Sequence, residues 1–164
     1  MGNKIVLALL GTALALLAAS AAAGYAVTAL ANPTETWVDN ETAFCSATKA
    51  EIHGPGSTPT VKARTYSLSG DSCGYLKHKA PGNIKTRWVL EKLINGRWAQ
   101  CTDSLGYHFN GVTDGVEAAI SGFSRPPCGN GYYRTAANGG VKFDGNFRGN
   151  NITIRTNPPL MLNQ

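Results

Sequence analysis

Apolar residues fall into two regimes along this 164-residue chain. From residue 5 to residue 31 they run almost unbroken, rich in Ala and Leu and without charge, behind a single Lys4. Beyond that they come in short stretches alternating with polar residues and broken by Gly, Pro, Asn and Asp. Alternation punctuated by such breakers is the pattern of half-buried strands joined by turns.

Residues 42 to 52 and 60 to 68 read as two strands around a turn at Gly54-Pro55-Gly56, and residues 72 to 79 as a third. Two Asn-Gly pairs stand out, because both central positions of a tight type I′ turn require positive φ, which Asn and Gly tolerate. Asn95-Gly96 joins residues 87 to 94 to residues 97 to 101. A two-residue loop there sets Leu93 opposite Trp98 and Leu90 opposite Cys101. Trp88, Leu90, Ala99 and Cys101 then share a core face, and Leu93 and Trp98 the opposite one. Asn138-Gly139 is expected to turn the chain between residues 132 to 137 and 140 to 143, with a further reversal at Asp144-Gly145-Asn146. A closing strand over residues 151 to 156 ends before Pro158 and Pro159, which cannot donate to a ladder. The one helical signal covers residues 114 to 120, where Asp114 caps and Glu117 completes a capping box. About seven short strands with frequent turns predict an all-β, antiparallel β-sandwich, with a small β-barrel as the alternative.

The first apolar stretch reads as a signal peptide: a short positive region, an apolar centre and small residues at its end. Ala29 and Ala31 occupy the positions that signal peptidase reads, so residues 1 to 31 form the leader and Asn32 begins a single secreted domain of residues 32 to 164. Ala21-Ala22-Ala23 offers a second cleavage site. Uncleaved, the stretch is long enough to anchor the protein, since a span needs about 20 apolar residues. No later segment is apolar enough to cross a membrane as a helix.

Export changes the meaning of the cysteines. Cys45, Cys73, Cys101 and Cys128 are an even set in an exported chain, which reads as two disulfides. Cys45 with Cys73 and Cys101 with Cys128 is favoured, each closing a loop of modest length and stabilising by about 3 to 4 kcal/mol. Zinc binding needs closely spaced pairs, which are absent, and His53, His78 and His108 lie far apart. No metal site is expected.

The formal net charge is +5. Residues 62 to 97 hold Lys62, Arg64, Lys77, Lys79, Lys85, Arg87, Lys92 and Arg97 against only Asp71 and Glu91. A basic face of this kind attracts anionic polymers. No run of consecutive basic residues marks a specific nucleic-acid binder.

Motifs for catalysis are missing. There is no G-x-S-x-G elbow, no H-E-x-x-H and no phosphate loop, and Gly129-Asn130-Gly131 reads as a turn, so neither catalytic residues nor a cofactor are expected. His108 with Asp103 or Asp114 and Ser104 or Ser121 is the weakest form of a hydrolytic triad, and Asp103, Asp114, Glu117 and Asp144 are the acids available to a glycosidase. Aromatic residues carry the better binding signal, because flat rings stack on sugars or partner side chains. The candidate binding residues are Trp98, Tyr132 and Tyr133, with Lys77, Lys79 and Arg97 as the cations. Alternation sends one of the two adjacent tyrosines outward.

The run Cys128-Gly129-Asn130-Gly131-Tyr132-Tyr133-Arg134-Thr135-Ala136, followed by Gly140-Val141 and Asn146-Phe147-Arg148-Gly149, resembles the C-terminal part of small secreted immunoglobulin-like proteins of high-GC Gram-positive bacteria. Phe147 stands where that pattern has tryptophan. The resemblance implies an immunoglobulin-like sandwich and brings no catalytic residue with it. The expected function is therefore a non-catalytic secreted or cell-surface binding or structural protein, its partner an anionic cell-wall polymer, a glycan or a protein. A secreted hydrolase of wall polymer and a secreted inhibitor or antibacterial effector with a basic face are the alternatives.

Overall fold

In the strand Thr60–Ser69 every second residue, from Val61 to Ser69, is buried, so one face of the sheet lies against a second layer. The computed structural model describes residues 26–30, 36–39, 42–53, 60–111, 115–122, 127–149 and 153–162. They form thirteen strands: β1 Ala26–Leu30, β2 Thr36–Asp39, β3 Thr42–His53, β4 Thr60–Ser69, β5 Tyr75–Leu76, β6 Ile84–Ile94, β7 Arg97–Asp103, β8 His108–Phe109, β9 Glu117–Gly122, β10 Gly131–Phe143, β11 Asn146–Arg148, β12 Ile154–Arg155 and β13 Leu160–Leu162.

Two antiparallel sheets result. The first runs β1-β3-β4-β5, with β2 also on β3 and β9 also on β4; the second runs β11-β10-β6-β7, with β12 and β13 also on β10 and β8 also on β6. The fold is a disulfide-stapled β-sandwich, not a closed barrel. The expected staples are present: Cys45 is bonded to Cys73 and Cys101 to Cys128. β1, which pairs Ala26 to His53 and Leu30 to Lys49, falls inside the stretch read as leader.

The core has two characters. At one end Ala50, Ile52, Val61 and Ala63 of the first sheet meet Trp88, Leu90, Tyr133, Ala137 and Leu162 of the second. Elsewhere, apart from a second apolar cluster of Ile84, Ala118 and Val141, the filling is small and hydroxylated: Ser46, Thr48, Thr65, Ser67, Thr86 and Thr135 are all buried, and Thr48 and Thr65 share a hydrogen bond of 3.1 Å. Small side chains let the sheets approach closely there. A Cβ on Gly139 would sit 1.7 Å from Thr65 Oγ1.

That approach corrects one expectation. Asn138-Gly139 is not a turn; β10 runs through it, with Asn138 opposite Arg87 and Gly139 opposite Thr86. Gly139 serves close packing, the other common reason for glycine within a strand. The turns at Asn95-Gly96 and Asp144-Gly145 form as expected, with positive φ at all four residues.

Other expectations need smaller corrections. Leu93 does face Trp98, but Leu90 faces Thr102 and Glu91 faces Gln100, so Cys101 is the extra residue of a β-bulge. Trp88 and Leu90 are buried, as expected of a core face. Residues 117 to 122 are strand rather than helix, because β4 offers β9 a continuous ladder from Tyr66 to Val61. Ladder pairing outweighs a local cap there; Asp114 itself lies outside the described residues, as does the turn at Gly54-Pro55-Gly56. The strand expected at residues 72 to 79 is only β5 plus a bridge from Lys79 to Gly115. Of the closing strand, the described part pairs only at β12, and after the prolines β13 continues along β10.

Candidate functional site

The six residues singled out for binding do not form one site. Tyr133 is fully buried, and its hydroxyl donates to the Gly129 carbonyl; burial pushes that phenol's pKa up. It is core, and Tyr132, 46 % exposed, is the tyrosine that points outward. Trp98 is half-buried on the outer face of the second sheet, with the Arg134 guanidinium 4.2 Å from its ring. Arg134 and Arg155 both reach Glu91, at 2.5 and 3.1 Å. Arg97 is exposed at the tip of the β6–β7 hairpin. Lys77 and Lys79 are elsewhere, 5.4 and 4.5 Å from the ring of Phe44. The basic block of residues 62 to 97 is thus divided among several surfaces, with Lys62 and Arg64 on the first sheet.

A second group on the same outer face is more closely assembled. β6 sends Ile84, Thr86, Trp88 and Leu90 inward, so Lys85 and Arg87 point outward. Across the ladder they oppose Gly140 and Asn138 of β10. On the other side of β6, Phe109 opposes Lys85. β11 carries Phe147 and Arg148 to the rim, with the rings of Phe109 and Phe147 5.9 Å apart.

Tyr107 completes the group, placed by a tightly wound loop. Asp103 accepts from the Leu105 amide at 2.7 Å, and Ser104 Oγ accepts from the Trp88 amide while donating to the Gly106 carbonyl. Leu105 and Gly106 take positive φ. Asn110 then ties the loop down, accepting from the Ile84 amide and donating to the Lys79 and Ala80 carbonyls. The Tyr107 hydroxyl donates to Asn138 Oδ1 at 2.5 Å.

Between these elements lies a cleft of about 80 Å³ lined by Lys85, Tyr107, Asn138, Phe147, Arg148 and three glycines. Lys85 Nζ is 4.2 Å from the Tyr107 ring and 4.4 Å from the Phe147 ring, and Arg87 stacks on Tyr107 at 5.0 Å. Burial pushes the Lys85 pKa below the ordinary lysine value, and the charge of Arg87 pushes it the same way. Cation–π contact partly offsets that desolvation.

The residues available to a triad have other work. Ser104 Oγ is engaged with backbone on both sides, and His108 Nε2 is 2.9 Å from the Ser104 carbonyl. Ser121 is on β9 in the other sheet, and Glu117 pairs with Arg64 at 3.8 Å. Among the described residues no three His, Cys, Asp or Glu side chains group as a metal would require.

Sequence reasoning counted Lys85, Arg87 and Phe147 only within larger sets, and it missed Tyr107, Asn138 and Arg148 as a group. The signal for the first two was present in β6: stepping back by twos from Trp88 puts both cations on the outer face. For the others no local signal existed. No family model, curated protein or solved structure matches this chain.

Proposed function

We propose that this is a secreted or cell-surface protein that binds rather than catalyses, built on an immunoglobulin-like sandwich and acting through the outer face of its second sheet on an anionic polymer of the cell envelope. One observation carries the reading: Lys85 and Arg148 line a cleft with no acidic side chain in its lining, and Lys85 and Arg87 lie against the aromatic rings of Tyr107 and Phe147 beside it. A solvated strand face gains nothing from gathering like charges, whereas a face that meets an anion does.

Export is supported by the leader pattern and by two disulfides with no free thiol, which belong to an oxidising compartment. Among the described residues no helix is long and apolar enough to cross a membrane. N-terminal sequencing of exported protein distinguishes cleavage before Asn32, which removes β1 from the edge of β3, from cleavage before Gly24, which leaves β1 in place.

The binding reading is tested by co-sedimentation of the disulfide-intact protein with insoluble cell-wall material before and after its anionic polymers are stripped. Binding to the intact wall, weakened by stripping and by raised salt, is the expected result. Equal binding to both preparations would refute it.

A further inference from the structure

Resting on that reading and deepening it, the geometry points to a subsite for a single oxyanion, a phosphate or carboxylate group of the polymer, in the cleft between β10, β11 and the loop carrying Tyr107, with Lys85 as its anchor.

Size selects the class of group. At about 80 Å³ the cleft is well below the roughly 300 to 1,000 Å³ of pockets that enclose a small-molecule ligand. It admits one charged group projecting from a longer chain. The glycine at 140 keeps the floor low: a Cβ there would stand 2.9 Å from the Arg148 carbonyl and 3.8 Å from Lys85 Cε.

Charge selects the sign. Lys49, Arg64, Arg134 and Arg155 each have a carboxylate partner, whereas Lys85, Arg87 and Arg148 take part in no ion pair among the described residues. Lys85 is also partly desolvated and beside Arg87, both of which disfavour its charged form. The attraction of an arriving oxyanion offsets both penalties.

Preorganisation selects the anchor. Rings on two sides limit the freedom of the Lys85 side chain, and the Tyr107 hydroxyl is fixed on Asn138. Little conformational entropy remains to be lost on binding, which is where small ligands gain affinity. Arg148, on the rim, supplies a planar fork suited to either oxyanion.

The test titrates disulfide-intact protein with inorganic phosphate, with glucuronate and with uncharged glucose, following backbone amide signals by NMR. Phosphate or glucuronate is expected to shift the amides of Tyr107, Gly139, Gly140 and Gly149 with a millimolar Kd, and glucose to shift none. Whichever anion binds more tightly identifies a phosphodiester or a uronate as the source. Lys85→Met, which keeps the aliphatic stem, and Arg148→Gln should each weaken binding about tenfold, while Arg97→Gln at the far hairpin tip leaves it unchanged. An adventitious effect of general positive charge would shift amides over the whole basic surface and respond equally to Arg97→Gln; that outcome, or no shift at all, overturns the subsite. Wall binding that survives Lys85→Met and Arg148→Gln undiminished also overturns it while sparing the broader function. Anion binding at the cleft without any wall binding does the reverse.

Discussion

Replacing Gly139 by alanine adds one methyl group where β10 lies close against β4 of the other sheet. That Cβ would lie 1.7 Å from Thr65 Oγ1 and 2.8 Å from both Thr65 Cβ and the Lys85 carbonyl oxygen. Unstrained non-bonded contacts between heavy atoms are about 3.5 Å, so the Thr65 hydroxyl has to retreat by well over an ångström. Thr65 is fully buried. Rotating its side chain breaks the hydrogen bond to Thr48 and leaves the other two contacts in place, so β10 must also shift away from β4 and from the Lys85 carbonyl of its neighbour β6. Overpacking costs about 1 to 3 kcal/mol and the lost hydrogen bond about 1 kcal/mol. Reduced freedom of the unfolded chain returns up to about 1 kcal/mol. The expected net loss is about 1 to 4 kcal/mol, measured as a lower urea midpoint at unchanged slope. Thr65→Ala in the same chain removes the worst contact, so the double variant should recover about 1 kcal/mol or more relative to the sum of the single effects. Strict additivity, or a neutral Gly139→Ala, would refute the close-packing argument and return Gly139 to the role of an ordinary strand residue.

Three further outcomes follow from burial and charge. Trp88→Ala, at a site 3 % exposed, should cost about 3 to 5 kcal/mol, whereas Trp98→Ala on the outer face should cost about 1 kcal/mol through its lost Arg134 stacking; urea unfolding of both variants checks the contrast. Burial raises the Glu51 pKa, but hydrogen bonds from Lys49 and His53, with the charges of Lys49 and Arg64, outweigh it and hold the carboxyl below its ordinary value. Glu51 therefore stabilises the fold fully above its unfolded pKa of about 4.3, and this contribution disappears as pH falls through the folded value. Glu51→Gln should lose less stability than the wild type as pH falls through that range, and parallel pH profiles of unfolding would count against the ion pair. Limited reduction should open Cys101–Cys128 first, because Cys128 is exposed while Cys45 is fully buried and exchange requires access; mass mapping after brief reductant treatment shows which bond opened.

Much of the fold was legible because local rules decide it. Alternation located β3, β4 and β6, and Asn95-Gly96 and Asp144-Gly145 turn the chain where positive φ is required. An even set of cysteines, Cys45 and Cys101 on strands and Cys73 and Cys128 in turns, paired in the order expected. The misreadings share one cause. Asn138-Gly139 carries a turn signature and residues 114 to 120 a capping signature, yet β6 and β4 offer each segment a long ladder. A local preference of about 1 kcal/mol does not prevail against several backbone hydrogen bonds formed together.

The candidate site was less legible, since its parts come from β6, the loop after β7, β10 and β11. The face on which Lys85 and Arg87 stand follows from period-two alternation, which the sequence carries in full. Their meeting with Tyr107, Asn138, Phe147 and Arg148 follows from strand order and register, and these are set by which sheet buries which face. The sequence by itself determined the all-β class and the inward and outward faces of β4 and of β6 as far as Leu90, which follow from side-chain period, and the two staples, which follow from an even cysteine set closing loops of modest length. Tertiary structure alone decided why Gly139 must be glycine, which tyrosine is core and which cations share a cleft. Those outcomes depend on the separation of the two layers, and a linear pattern does not encode that distance.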